Sequence, residues 1–573
     1  MHDAVSRHVW ETKYRHRSDR TIEGTWRRVA KALSEVEPAA EPRPAWEERF
    51  YSVLEGFRFL PGGRILAGAG TRRRVTLFNC FVMGRIEDSL DGIFEALKEG
   101  ALTMQQGGGV GYDFSTLRPA GTPAVSAGTI ASGPVSFLRV WDSMCATVLS
   151  TGARRGAMMA TLRCDHPDVE AFVDAKREPG ALTNFNLSVQ VTDAFLDAVH
   201  KGEDWPLVFS GHVFRSVPAR PLWDRILRAA WEHAEPGVLF VDRINRLNNL
   251  WYREHLTATN PCGEVPLPPY GACDLGSLNL VRFVQAPFSP DARLDLDALR
   301  ETAAVAVRML DDVIDASRFP LPQQERQARA TRRIGLGLTG LADALAMLGH
   351  RYDSPGGLAA ATEAMRTICH AAYRASIDLA REKGSFPALD REKHVQGEFI
   401  RSLPDDIREG IAAHGIRNSH LTAIAPTGTI SLLAGNVSSG IEPIFGLRHR
   451  RRLLDADGSW REVELADPAL VLWRELHPGA EPPAGLFATA RELPPAAHLD
   501  MQAALQPFVD SAISKTINVP ADLSFTRFRD VYEEAWRKGL KGVTAFRPNP
   551  VTGDVLSELP APAHCCTAER EAD

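Results

Sequence analysis

From Thr76 onward the chain alternates short apolar strands with helices, and this alternation constrains the fold more than any other feature. Leu77-Phe78-Asn79-Cys80-Phe81-Val82-Met83 is a short apolar strand, and Asp88-Ser89-Leu90-Asp91 then opens a helix with acidic caps. Residues 157–192 read as strand, helix and strand, the last being Asn186 to Val191 with β alternation, and the pattern continues to about residue 250. The chain is therefore of the α/β class. Residues 296–318 and 355–384 have amphipathic helical spacing, and Ile334 to Leu348 is an apolar, glycine-interrupted stretch that predicts a buried turn leading into a helix.

A length of 573 residues exceeds what one core usually supports, so an accessory region beside a large catalytic domain is expected. Residues 1–75, with helical spacing at Trp26, Val29, Leu33 and Val36, predict a helical region; residues 76–550 carry the α/β pattern; residues 551–573 turn polar and predict a mobile tail. Net charge is -6, so no global basic field recruits nucleic acid or an acidic membrane. The runs Arg72-Arg73-Arg74 and Arg450-Arg451-Arg452 read as solvated faces or strand edges, without the aromatic interleaving of a single-strand binder. No signal peptide and no run long enough to span a bilayer is read, and eight cysteines without framework spacing suit a reducing cytoplasm.

Chemistry concentrates at Asn260-Pro261-Cys262-Gly263-Glu264. An extended segment would present Asn260, Cys262 and Glu264 on one face, while Pro261 and Gly263 favour a turn or loop tip. Cys273 follows a Pro-Pro-Tyr-Gly-Ala stretch. A buried structural pair is the bland reading of the two thiols, and the flanking carboxamide and carboxylate speak against it. Gly107-Gly108-Gly109-Val110-Gly111 follows a helix and precedes a strand, the wrong order for a dinucleotide fingerprint, and permits close backbone approach instead. Pro426-Thr427-Gly428-Thr429-Ile430-Ser431 runs from an apolar strand into a helix start. That arrangement suits phosphate, without the lysine of a Walker loop, and equally suits a plain capped helix. Cys565 and Cys566 on the tail are either incidental or placed to exchange with a disulfide elsewhere.

Over about residues 50 to 550 the chain resembles the adenosylcobalamin-dependent (class II) ribonucleotide reductases. The stretches that carry the resemblance are Asn79-Cys80-Phe81-Val82 with Asp88-Ser89-Leu90, Asn260 to Glu264, Ala272-Cys273-Asp274-Leu275-Gly276-Ser277-Leu278-Asn279-Leu280, Arg332-Arg333-Ile334-Gly335-Leu336-Gly337, Pro426 to Ser431, and Leu540-Lys541-Gly542-Val543-Thr544. The resemblance implies a ten-stranded α/β barrel of two parallel five-stranded halves with a finger loop up its centre, and Cys262 on that finger. It implies adenosylcobalamin as cofactor, a thiyl radical at Cys262 that takes the 3′ hydrogen, Glu264 as base on the 3′ hydroxyl and Asn260 holding the substrate hydroxyls. Cys80 and Cys273 would supply the electrons, and Asn79 with Pro426, Thr427, Gly428, Thr429, Ile430 and Ser431 would bind the ribonucleotide. No metal site is expected in the protein chain itself.

Asp88, Arg118 and Arg155 match positions at which the family binds a deoxynucleotide effector and relays its identity, at a dimer interface, so a homodimer is expected, reduced by a thioredoxin-like or other dithiol. The amino terminus is read as too short for the domain that switches overall activity. Gly542-Val543-Thr544-Ala545-Phe546-Arg547 lacks the paired tyrosines of the iron-dependent class, and no glycyl-radical sequence closes the chain. Two other readings remain at this point: a large subunit that needs a separate radical-generating subunit, and a silent nucleotide-binding regulator on the same barrel. The residues themselves leave diphosphate or triphosphate substrates open.

Overall fold

The structure is a computed structural model that describes residues 4–38, 42–124, 129–150, 154–454 and 460–548. Its amino-terminal region forms α1 (Ala4–Val9), α2 (Ile22–Ser34) and α3 (Arg43–Leu54). Trp26, Val29, Ala30 and Leu33 are buried along one side of α2, the side that the apolar spacing predicts. The region is not purely helical, because Phe59–Pro61 is a strand, β1, followed by α4 (Gly63–Gly68).

Five parallel strands come next: β2 (Cys80–Val82), β3 (Gly109–Asp113), β4 (Met158–Arg163), β5 (Phe185–Val191) and β6 (Gly237–Phe240), paired in chain order. Among the helices that link them are α5 (Leu90–Gln105) and α6 (Pro134–Thr147). After a short hairpin, β7 (Ala258–Thr259) and β8 (Pro266–Leu267), a second half begins with β9 (Ala272–Asn279) parallel to β10 (Ile334–Thr339). It ends with β11 (Thr516–Asn518) parallel to β12 (Gly542–Phe546). Isolated parallel bridges, Leu336 with Thr422 and Ile424 with Ile513, carry the pairing across from β10 to the segment that enters β11. Two antiparallel seams join the halves, β2 with β9 and β6 with β12. The pairing thus runs round ten extended segments, five parallel in each half, as the resemblance implies. β1 pairs antiparallel with β9, beside the first seam, and so attaches the amino-terminal region to the barrel.

Helices α7 (Leu296–Ala316), α8 (Leu341–Met347) and α9 (Pro355–Lys383) belong to the second half. Glu37, just beyond α2, accepts from Arg308 of α7 at 2.5 and 2.9 Å and from Lys383 of α9 at 3.1 Å, a buried ionic junction between the amino-terminal region and the helices of the barrel. Two further short helices carry weight below, α10 (Gly428–Leu433) and α11 (Pro468–Leu476).

Two sequence expectations need correction. The cap of α5 is Ser89, whose hydroxyl accepts from Gly92 N at 3.1 Å, and Asp88 is instead turned toward Arg118. The stretch Ile334–Leu348 is the fully buried strand β10 followed by α8, rather than a turn. Its glycines are sites of close approach. A Cβ at Gly337 would lie 2.3 Å from the carbonyl oxygen of Ala423.

The β7–β8 hairpin threads the ring. Thr257 O, at its root, accepts from Thr161 Oγ1 of β4 at 2.8 Å and from Gln190 Nε2 of β5 at 2.6 Å. Near its tip, Asn186 Nδ2 donates to Pro261 O at 2.7 Å, and on the opposite side Ala512 N donates to Glu264 O at 2.8 Å. A Cβ at Gly111 of β3 would meet Thr259 O at 1.8 Å, so only glycine admits the hairpin there.

Candidate active site

The tip of the hairpin is a turn, not an extended segment. Gly263 N donates to Asn260 O at 3.1 Å and Gly263 has φ +83°, a conformation that glycine adopts freely. The turn divides the three groups that an extended chain would have aligned: Asn260 and Glu264 are buried, whereas Cys262 is half-buried and the other described cysteines are enclosed. Of the thiols around the tip, Cys262 is thus the one open to a reactant from outside.

Beneath it lie the other two. Cys80 and Cys273 are register partners across the β2–β9 seam, and the antiparallel pairing points their side chains to the same face. Partners of this kind have Cα atoms about 4.5–5.5 Å apart, within the roughly 4.4–6.8 Å that a disulfide spans; both thiols are free here. Cys80, Cys273, Val265, Ala423 and Ala425 share one buried cluster inside the ring, distinct from the main core.

Asn260 organises the polar groups. Its Oδ1 accepts from Val265 N at 3.0 Å, its Nδ2 donates to Cys80 Sγ at 3.2 Å, and it also hydrogen-bonds the Glu264 carboxylate. Cys80 Sγ lies 3.9 Å from Glu264 Oε1, and among the described residues Glu264 Oε2 has no partner. Burial pushes Glu264 up to about 7, with the hydrogen bonds from Asn260 and Cys80 pulling the other way. Burial also pushes the Cys80 thiol well up, with the Glu264 charge adding to it, and does the same to Cys273 beside Asp274. Both are therefore held as neutral thiols, able to give hydrogen and electrons. A base balanced near neutrality beside two such thiols is an arrangement suited to proton transfer coupled to thiol oxidation.

Asn79 directly precedes Cys80, is buried, and among the described residues has no partner for either amide atom. The Pro426–Ser431 stretch approaches the same interior: Ile424 N donates to Ala512 O at 3.1 Å, while Ala512 N holds Glu264 O, so the hairpin tip and the turn are joined through one residue. Thr427 sits at φ +56° and its side chain caps nothing in α10. Instead Thr427 Oγ1 accepts from Gly440 N at 2.8 Å and pairs with Thr339 Oγ1 at 2.8 Å. Ser431 Oγ donates to Gly428 O and meets Ser439 Oγ, each at 3.0 Å.

Asp88 and Arg118 are brought together, at 2.7 Å from Arg118 Nε to Asp88 Oδ2, in a half-exposed pair apart from the hairpin. Arg155 lies in a two-residue strand, Arg154–Arg155, paired with Leu149–Ser150, and its side chain is outside the described set. Cys565 and Cys566 lie outside the described residues. Sequence reasoning missed Asn186, which holds the hairpin tip, and Ser438, Ser439 and Gly440, which brace the Thr427 turn. Their signal is weak, because an asparagine in a strand and a run of small residues are both common. Among the described residues no helix is long and apolar enough to cross a membrane and no cluster of His, Cys, Asp or Glu could hold a metal ion.

Comparison with known proteins places these features in a family context. Residues 2–74 match the model for the ribonucleotide reductase all-alpha domain and residues 78–546 that for the ribonucleotide reductase barrel domain. The chain is 45% identical to the vitamin B12-dependent ribonucleoside-diphosphate reductase of Mycobacterium tuberculosis, over 92% of this chain and 75% of that protein. It is 38% identical to the protein of the same name from Thermoplasma acidophilum, over 94% of this chain and 70% of that one. The ribonucleoside-diphosphate reductase subunit alpha of Chlamydia pneumoniae is 26% identical, over 92% and 57%.

Proposed function

The chain belongs to the ribonucleotide reductase family and reduces ribonucleotides with adenosylcobalamin as its cofactor, and on that premise we propose how its own residues divide the work. The observation that carries the assignment is the meeting of Cys80, Cys273 and Glu264 beneath the half-buried Cys262 at the hairpin tip.

The tip is open at Gly263, where a Cβ would find nothing within 4 Å, and among the described residues Asn186 Oδ1 beside Pro261 has no partner, which fits a polar group bound there. Asn186 and the backbone of residues 261–263 would face the bound group. Adenosylcobalamin supplies the one-electron chemistry by which Cys262 loses its hydrogen atom. Cys262 then takes the 3′ hydrogen of the ribose, and Glu264 accepts the proton of the 3′ hydroxyl. The 2′ hydroxyl leaves as water, its added proton coming from one thiol of the Cys80–Cys273 pair. The hydrogen of the other thiol goes to C2′, and the pair passes two electrons in all and closes as a disulfide. Glu264 returns its proton to the 3′ oxygen, and Cys262 returns the hydrogen to C3′. Asn260, already bridging Cys80 and Glu264, holds the hydroxyls in register with both. Asn79, whose buried amide has no partner among the described residues, hydrogen-bonds the sugar, and the Pro426–Ser431 turn receives the phosphates at the start of α10.

The substrate is a ribonucleoside diphosphate on this reading, as the names of the relatives suggest. Asp88, Arg118 and Arg155 bind a deoxynucleotide effector at a homodimer interface. Supporting this, Leu90, Phe94 and Leu102 are exposed along one side of α5, directly after Asp88, and Val140 is exposed on α6. A thioredoxin-like dithiol reduces the Cys80–Cys273 disulfide by exchange relayed through the tail thiols Cys565 and Cys566, and the enzyme works in the reducing cytoplasm.

The test is turnover of a ribonucleoside diphosphate by the full chain with dithiol, with and without adenosylcobalamin and with no second subunit. Cofactor-dependent deoxynucleotide formation is expected, lost in C262S while effector binding is kept. Turnover by C262S overturns the mechanism, and cofactor-independent turnover overturns the class.

A further inference from the structure

The mechanism leaves unused a pair of buried carboxyls, Asp343 on α8 and Asp467 at the start of α11. Among the described residues neither carboxyl has a cation partner in an ion pair, yet the two are in hydrogen-bonding contact with each other. Two carboxylates cannot both ionise in such contact, so one proton is shared between them. Asp467 Oδ1 accepts from Leu470 N at 2.9 Å and so caps α11. The Asp343 carboxyl faces the other way as well, with Oδ2 accepting from Ser438 N at 2.8 Å, while Asp343 N donates to Ser438 Oγ at 3.3 Å.

Ser438 begins a strap that lies over the Thr427 turn. Ser438 O accepts from Gly340 N at 2.7 Å and from Thr339 Oγ1 at 3.1 Å. Ser439 Oγ meets Ser431 Oγ at 3.0 Å, and Gly440 N donates to Thr427 Oγ1 at 2.8 Å and Thr339 Oγ1 at 3.2 Å. Gly440 itself is pressed against the chain entering the turn, since a Cβ there would lie 2.7 Å from Ala425 O. The far end of the strap is fixed as well: Glu442 accepts from Thr516 N at 2.9 Å and from the buried Lys515. Thr427 and Ser431 thus take their positions from a segment that Asp343 holds by two hydrogen bonds. Within α10 only the backbone of Thr427 is held, its carbonyl accepting from Ser431 N at 2.9 Å, and its side chain does not cap the helix.

We propose that Asp343, braced by Asp467, is a positioning residue for the substrate phosphates, acting through Ser438, Ser439 and Gly440 to fix Thr427 and Ser431. The inference rests on the reading that Pro426–Ser431 receives those phosphates. Burial holds both carboxyls above the usual carboxylate range, as a shared proton requires. An asparagine at 343 could still accept from Ser438 N and donate to the Asp467 carboxylate, whereas an alanine could do neither.

The full-length enzyme with cofactor, effector and dithiol is assayed for reduction of cytidine diphosphate, and for inhibition by inorganic pyrophosphate, a probe of phosphate binding without base or sugar. D343A is expected to raise both the KM and the pyrophosphate inhibition constant at least about five-fold, with kcat at saturation within about two-fold, and D343N to stay within about two-fold of the parent on all three. If D343A does not fold, D343S, which leaves a hydroxyl toward Asp467, is measured in its place. S431A is run beside them. If S431A moves neither constant, the phosphate reading of the turn fails and this inference with it. If S431A raises both and the Asp343 variants leave both unchanged, the inference alone fails. A D343A that lowers kcat without touching KM, or a D343N as damaging as D343A, also overturns it.

Discussion

Replacing Glu264 by glutamine tests the general-base role and the cost of its buried charge in one variant. Glu264 is fully enclosed, and burial raises its carboxyl from an ordinary 4.5 to about 7. Between those values the folded chain holds a proton that the unfolded chain has released, so stability falls as pH rises, by about 1.4 kcal/mol per unit. Over the whole window the loss is about 3 kcal/mol, complete above pH 7 and absent below the unfolded value. The amide of E264Q has no charge to bury. Urea unfolding should therefore find E264Q more stable than the parent by about 3 kcal/mol at pH 8, with the gap closing toward pH 4.5. Reductase activity should fall by about 10²–10⁴-fold in the variant, the usual worth of a positioned base. In the parent, kcat/KM should lose about a factor of ten for each unit of pH below 7, as the base is protonated. A stability gap that does not change with pH, or an acid limb of the parent's profile centred near 4.5, would refute the reasoning, since either means that the carboxyl is not desolvated.

G111A should push the hairpin away from β3, because its Cβ would sit 1.8 Å from Thr259 O. A destabilisation of about 1–3 kcal/mol or more and a loss of about 100-fold in kcat from the displaced tip are expected in a thermal melt and a turnover assay; parent-like kcat would show that the tip is not positioned from β3. E37A removes the buried acceptor of Arg308 and Lys383 and should cost about 3–5 kcal/mol by denaturant unfolding. A cost below 1 kcal/mol, on the scale of an exposed pair, would mean that the junction is solvated. Replacing Cys565 and Cys566 together by serine should slow steady-state turnover with a protein reductant while sparing a single turnover in rapid quench. An unchanged steady-state rate removes the tail from the cycle.

How much of this could be read in the residues depended on whether the chemistry was local. Asn260, Cys262 and Glu264 lie within five residues, and their types alone point to thiol chemistry with a base at hand. The nearness of Cys80 to Cys273 is of another kind. It arises where the first strand of one half meets the first strand of the other in an antiparallel seam, a pairing that no local pattern encodes and that only the family resemblance anticipated. β10 was hidden for a physical reason: Gly335 and Gly337 read as a turn, yet they are glycines because residue 423 passes where their side chains would be. The segment 421–424 was legible as an apolar strand but pairs only through isolated bridges. Asp343 lies within the apolar stretch 334–348 and carries no local signal of its role, since the Asp467 that shares its proton is remote in sequence.

The hairpin explains the composition of the ring interior. A barrel of this size would ordinarily fill its centre with layers of apolar side chains. Here backbone runs up the centre, and buried backbone brings carbonyls and amides that must be satisfied. The strands facing it answer with a glycine where the chain passes closest, Gly111, and with polar side chains where it needs partners. Thr161 and Gln190 serve Thr257 O, Asn186 serves Pro261 O, and Ala512 N serves Glu264 O, so each of these groups ties one level of the hairpin to the wall. Held from opposite sides and along its length, the tip has little freedom to move relative to Cys80 and Cys273. On the proposed mechanism that rigidity is what the chemistry requires, because hydrogen-atom exchange at C3′ and proton transfer to Glu264 must share one substrate position. On that proposal the polar wall of the barrel serves the chemistry by fixing the hairpin tip, through Thr161, Gln190, Asn186 and Ala512.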